Sequence, residues 1–123
     1  MPDSRKNLGD FGEQAAAAYL IKRGYTLLAR KWRCRTGEID LLMRDRTTLV
    51  FVEVRTRRSD RLGMAEESVG PTKQAKLIAL AYAYLEAAGT PDDLAWRIDV
   101  VALNIDRNGR IAQLQHIRDA VEE

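Results

Sequence analysis

The sequence predicts an α/β fold: a mixed β-sheet flanked by helices, in the order α-β-β-β-α-β-β. Three observations predict it. Residues 4–23 and 71–88 carry apolar residues at helical spacing. Five other runs have strand length and alternate, or are apolar throughout. Asn108-Gly109, a dipeptide that favours tight hairpins, separates the last two of these runs. The 123 residues are 46% apolar and 31% charged. That suits one domain spanning 1–123 with a sizeable core, and it excludes intrinsic disorder.

The first helix is expected from about Ser4 to Arg23, with Leu8, Phe11, Ala15, Ala18 and Tyr19 as its buried stripe and Gly24 as its stop. At about 100° per residue, Glu13 falls on the flank of that stripe. Tyr25–Cys34 reads as a strand with Leu27 and Ala29 on one face. Gly37–Arg44 and Thr48–Arg57 are the next two strands. In the latter, Val50, Val52 and Val54 share one face, while Leu49, Phe51, Glu53 and Arg55 share the other. A strand apolar on both faces is covered on both sides, so its polar end at Glu53 and Arg55 stands out. Residues 59–71 read as one long loop. A second helix opens at Pro71-Thr72, carries Leu77, Ile78, Ala81, Leu85 and Ala88, and stops at Gly89. Trp96–Asn104 is a further strand, and the Asp106–Gly109 turn leads into Ile111–Ile117.

Composition removes several functional classes. A lone cysteine, Cys34, excludes an internal disulfide and a Cys-cluster metal site, and a lone His116 excludes a His-rich zinc site. No apolar run reaches the length of a membrane span. The N-terminal residues lack the apolar segment of a signal peptide. The expectation is a cytoplasmic protein with no membrane partner. No nucleophile elbow, P-loop or dinucleotide fingerprint occurs.

The net charge of +2 hides an asymmetry. Residues 1–61 hold 14 Lys/Arg against 8 Asp/Glu, and residues 62–123 hold 6 against 10. Arginine suits forked contacts with phosphate, so Arg33, Arg35, Arg57 and Arg58 are candidate contacts to a nucleic acid. Charge alone leaves a solvated, Arg-rich surface equally open.

The chemistry concentrates in one hairpin. If the turn is centred between Arg46 and Thr47, Asp40 faces Glu53, Glu38 faces Arg55 and Leu42 faces Phe51. Opposed side chains on one face have Cβ atoms about 4.5–5.5 Å apart, so two carboxylates converge beside a guanidinium. At about 4 Å and an effective dielectric near 20, their repulsion costs roughly 4 kcal/mol before relaxation. A Mg²⁺ ion, with Mn²⁺ as a substitute, offsets that cost and takes carboxylate oxygens, waters and a substrate phosphate. A cross-strand ion network centred on Arg55, with no metal, accounts for the same residues.

Gly37-Glu38-Ile39-Asp40-Leu41-Leu42, then Phe51-Val52-Glu53-Val54-Arg55-Thr56-Arg57, is similar to the YraN family of small bacterial proteins. Gly12-Glu13 on the first helix, Lys73-Gln74-Ala75 on the second and Arg97-Ile98-Asp99-Val100-Val101 in the later strand extend the likeness over most of the chain. That family resembles the restriction-endonuclease-like fold shared with archaeal Holliday-junction resolvases. The resemblance implies Glu13 as the helix acid, and Asp40 and Glu53 as metal ligands. It places Arg55 where those nucleases carry the lysine of Glu-x-Lys. It implies a metal-dependent nuclease acting on DNA, structured or branched, and a homodimer is expected because junction-cleaving relatives pair. Arg55 can supply charge but cannot act as a base. A nucleic-acid-binding protein without activity, or a scaffold for a protein partner, are the alternatives.

The remaining candidates read as structural. Gln74 reads as a cap-adjacent polar residue, Arg97 and Asp99 as an internal ion pair, and Trp32 as packing. Cys34 reads as a small apolar residue, and His116 as structural or surface, with no partner assigned by spacing.

Overall fold

Residues Thr48–Arg58 form a strand whose two faces are both apolar, and the fold covers both. The computed structural model describes residues 4–58 and 69–122, with side chains from Asn7 onward. The elements are α1 (Ser4–Lys22), β1 (Thr26–Cys34), β2 (Gly37–Asp45), β3 (Thr48–Arg58), α2 (Pro71–Ala88), β4 (Trp96–Ile105) and β5 (Ile111–Ile117). The order is the α-β-β-β-α-β-β of the sequence reading. Most of the loop expected at 59–71 lies outside the described residues.

The five strands form one sheet in the order β1-β2-β3-β4-β5. Among the described residues the β3–β4 pair is parallel and the other three pairs are antiparallel. A parallel pair needs a crossover, and α2 is part of that connection. Ala16, Ala17 and Leu20 of α1 pack with Val50, Val52, Leu41 and Met43 on one face. Leu77, Leu80 and Ala81 of α2 pack with Leu49, Phe51, Leu42 and Ile98 on the other. The division of β3 between its valine face and its Leu/Phe face is the one the alternation predicts.

The α1 stripe differs from expectation. Phe11 is 40% exposed and Ala18 is also exposed, whereas Gly12, Glu13, Ala16, Ala17 and Leu20 are buried. The reason is close approach. A Cβ on Gly12 would overlap the Thr56 side chain of β3. The line of contact therefore runs through the smallest residues, and larger ones are displaced to the rim. Glu13, expected on the flank, is carried into the interior beside Gly12.

In β1, Leu27 packs on the α1 face but Ala29 on the α2 face. A shift in register between Leu27 and Ala29 reverses the alternation, so the expectation of a shared face fails. The α2 stripe holds Leu77, Leu80 and Ala81, while Ala88 is exposed. Gly89 ends α2 in the left-handed conformation at φ +63°, where its N–H is donated to the Glu86 carbonyl.

Arg97 and Asp99 form the expected internal pair, with Arg97 Nε 2.9 Å from Asp99 Oδ1. Asp99 is fully buried and also accepts from His116 Nε2 at 2.8 Å and from the Asp119 N–H at 3.0 Å. Arg97 donates further to Tyr25 Oη and Asp45. Burial by itself raises the Asp99 carboxyl. The hydrogen bonds from His116, Arg97 and Asp119 outweigh it and hold the carboxyl below the usual range. His116 therefore has a partner, and its role is structural. Trp32 likewise packs, edge-on to Tyr84 with ring centroids 5.3 Å apart.

Two outcomes follow. Gly12→Ala is expected to lower stability by about 1–3 kcal/mol through overpacking, read as a fall in the urea midpoint with an unchanged m-value. Asp99→Ala removes the buried acceptor shared by Arg97 and His116 and is expected to cost about 3–5 kcal/mol by the same measurement.

Candidate metal and nucleic-acid site

The site lies where β2 and β3 part. Their ladder runs from Asp45↔Thr48 through Leu42↔Phe51 to Leu41↔Val52, the register that a turn centred at Arg46-Thr47 dictates. It goes no further. The Val54 N–H is instead donated to Asp40 Oδ2 at 2.8 Å. A side-chain carboxylate thus takes a backbone donor just past the last ladder pair.

Side-chain alternation also breaks at this point. Leu41 and Met43 pack toward α1, while Leu42 and Ile39 pack toward α2. An unbroken strand would put Ile39 and Leu41 on one face. Opposite Asp40 in β1 stands Lys31, between the pairs Arg30↔Leu41 and Trp32↔Ile39, with φ +54°. That left-handed conformation costs a non-glycine residue about 1 kcal/mol. Lys31 reaches Asp10 Oδ1 at 2.7 Å and Glu13 Oε1 at 3.0 Å. Hydrogen bonding to Asp10 first, then to Glu13, holds the Lys31 ammonium above its ordinary value.

Asp40 draws the acids together. Its carboxyl is hydrogen-bonded to Glu53, and ligand oxygens of Asp40, Glu13 and Glu38 all lie within 4.8 Å of one another. Burial, then the hydrogen bond and negative charge of Glu53, push the Asp40 carboxyl from 3.8 to about 8; Glu13 adds to this and the Val54 N–H opposes it. Glu13 is 7% exposed, and its Oε1 has no aligned hydrogen bond despite the nearby ammonium. Arg30 lies 3.9 Å from the same oxygen. A cleft of ≈ 10 Å³ touches Glu38, Asp40 and Glu53, about the space of one water.

Basic residues pair with two of these acids. Lys73 of α2 places Nζ 3.0 Å from Glu53 Oε2. An open groove of ≈ 550 Å³ runs past Glu53, Arg55, Thr56, Arg57 and Lys73. Arg57 and Arg58 are exposed, as is Arg35 in the β1–β2 turn. Arg33 is exposed but its Nε lies 2.7 Å from Glu38. Glu38 thus pairs with Arg33, and the β2–β3 ladder ends before the position at which Glu38 and Arg55 would be opposed.

Residues 12–103 match the family described as Uncharacterised protein family UPF0102. The chain belongs to the UPF0102 family. A UPF0102 protein of Roseiflexus castenholzii is 51% identical over 123 residues, 100% of this chain and 99% of the relative. One from Chloroflexus aurantiacus is 52% identical over the same span and coverage. A third, from Pelotomaculum thermopropionicum, is 45% identical over 120 residues, 98% and 99% of the two chains. This is the family, also called YraN, that the sequence motifs resemble.

Within this UPF0102 chain, Asp40 and Glu53 meet directly and Glu13 reaches them through Asp40. Sequence reasoning missed Lys73 and Lys31 as site residues. Lys73 left a signal: an ammonium in the first turn of a helix opposes the helix dipole, and that placement calls for a carboxylate elsewhere. Gln74, beside it, donates to the Val69 carbonyl at 2.6 Å and serves its own segment.

The raised Asp40 value fixes a pH dependence. Folded Asp40 keeps its proton up to about pH 8, and the unfolded chain only to about pH 4. The stability from that proton is complete below the unfolded value and is lost as pH rises through the folded one, at up to about 1.4 kcal/mol per pH unit. Asp40→Asn imitates the protonated acid, accepting from Val54 and donating to Glu53. Urea unfolding without divalent metal is expected to find Asp40→Asn more stable than wild type near pH 9, with the gap closing near pH 5.

Proposed function

We propose that this protein is a metal-dependent nuclease that hydrolyses a phosphodiester of DNA. The observation that carries the reading is the Asp40–Glu53 contact. Asp40 is hydrogen-bonded to Glu53, oxygens of Glu13 and Glu38 lie within 4.8 Å of its own, and a groove lined by Arg55, Arg57 and Lys73 adjoins Glu53. The donor set fits a hard divalent cation. It offers only oxygens, and the charge of Glu53 against Asp40 is offset in their contact by a proton on Asp40. Asp40 and Glu53 would hold Mg²⁺ or Mn²⁺, with Glu13 completing the set directly or through water. When bound, the ion supplies Lewis-acid polarisation of the phosphodiester and a water of lowered pKa.

The chain's own residues do the rest. Arg55 and Arg57 attract the phosphate backbone into the groove, and that term weakens with salt. Lys73 holds Glu53 by its ammonium and places a second positive charge beside the site. Arg55 stabilises charge developing on phosphorus and takes no proton, because guanidinium stays protonated. The Val54 N–H fixes one Asp40 oxygen, which leaves the other for Glu53 or a cation. A DNA-binding protein without activity is the second reading. It is favoured by Arg55 at the lysine position and by a carboxyl pair that a proton on Asp40 keeps stable without metal.

The test is cleavage of labelled duplex, single-stranded and four-way-junction DNA across a Mg²⁺ and Mn²⁺ titration. The expected result is metal-dependent cleavage that falls at least about a hundredfold in Asp40→Ala. Binding that survives Asp40→Ala, with no cleavage in either metal, supports the second reading. No binding to any DNA at moderate salt removes both.

A further inference from the structure

We propose that the groove at the C-terminal end of α2 is a docking site for a basic polypeptide segment, taking an arginine or lysine side chain of a partner protein. It lies far from the acidic cluster. Lys73 and Gly89 are separated by about 24 Å along the helix axis. The groove has a volume of ≈ 530 Å³ and is lined by Tyr82, Leu85, Glu86, Asp92, Leu94 and Trp96, among others.

Its chemistry selects a cation on an aliphatic stem. Tyr82 is 48% exposed. It meets Trp96 edge to face, with centroids 5.4 Å apart and planes at 77°. Two perpendicular rings present a π-face and a wall, an arrangement that attracts ammonium and guanidinium groups. Glu86 and Asp92 add two exposed carboxylates. Among the described residues no Lys or Arg lines the groove, and α2 has no basic residue in its last turn to offset the negative end of its dipole. Leu85 and Leu94 supply the apolar wall for a side-chain stem.

The corner is also rigid. Trp96 packs on Phe51 at 5.8 Å, Phe51 on Tyr84 at 5.7 Å, and Tyr84 on Trp32 at 5.3 Å. This run of rings crosses from α2 to β1 and anchors the exposed pair to the core, so little side-chain entropy is lost on binding. The groove is open rather than enclosed, which suits a side chain arriving from another polypeptide. Its charge is opposite to that of the Arg-rich face. A nucleic acid on that face and a basic segment in this groove do not compete.

The test is titration of the ¹⁵N-labelled full chain with a short capped peptide of alternating arginine and glycine, with a glutamate–glycine peptide, spermidine and dilution series as further arms. The expected result is saturable movement of the Trp96 indole N–H and the Thr90 and Asp92 amides, with those of Glu53 and Lys73 unmoved. Glu86→Gln with Asp92→Asn is expected to weaken binding roughly fivefold or more. Tyr82→Ala is expected to weaken it as well, without disturbing the remaining spectrum. The proposal is overturned by equal affinity in the double variant, by shifts confined to other surfaces, or by equal binding of the glutamate peptide. It is also overturned if spermidine binds as tightly as the arginine peptide, which makes a free amine the ligand. Self-association that the double variant abolishes overturns it too, because the occupant is then another copy of the chain.

Discussion

The acceptance of the Val54 N–H by the Asp40 carboxylate is the constraint on which the rest of the site depends. A hairpin that kept pairing beyond Leu41↔Val52 would bury Asp40 and Glu53 side by side on a continuous sheet. The ladder ends instead, and a side chain replaces a carbonyl as acceptor, so no backbone donor is lost. The gap this leaves is open to both helices. Glu13 approaches from α1, and Lys73 from α2.

The cost of gathering acids is carried by neighbours drawn from several elements. Lys31 accepts a left-handed backbone and places its ammonium against Asp10 and Glu13. That distortion also serves the sheet, since β1 is an edge strand. A bulge near Leu28 and a kink at Lys31 make its outer edge a poor template for another strand. The same irregularities therefore protect an edge and aim a cation, and the sequence shows no sign of either. Arg30, Lys31 and Arg33 read as three basic residues in a row of alternating character. Only the backbone reveals that Lys31 turns toward α1 while Arg33 pairs with Glu38.

What was legible followed from regular periodicity. The two faces of β3, the span of α2 up to Gly89 and the register between Arg44↔Leu49 and Leu42↔Phe51 could all be read because alternation and turn length determine them. What escaped were the places where periodicity fails or size misleads. Phe11 looks like a core residue, yet α1 approaches the sheet through Gly12, and proximity excludes a ring there. Glu13 looks amphipathically marginal, yet it is buried because it follows that glycine. His116 pairs in the sheet with Val101, which puts it diagonal to Asp99. A shift in register between Asn104 and Ile105 hid that relation from a count along the chain.

Arg55 and Lys73 place two different cations beside Glu53, where a Glu-x-Lys strand carries one lysine. A guanidinium on β3 provides a permanent charge with forked donors, suited to holding phosphate. An ammonium arriving from α2 provides a compact point charge. The lysine position on the strand thus carries a guanidinium, and the helix carries an ammonium. Both face Glu53 or its groove, although they lie 18 residues apart in the chain. A pattern confined to one strand sees a missing lysine, whereas the fold supplies one across the groove. Loss of Lys73 would leave Glu53 facing Asp40 without its ion pair, which makes the helix residue as much a part of the acidic centre as Arg55.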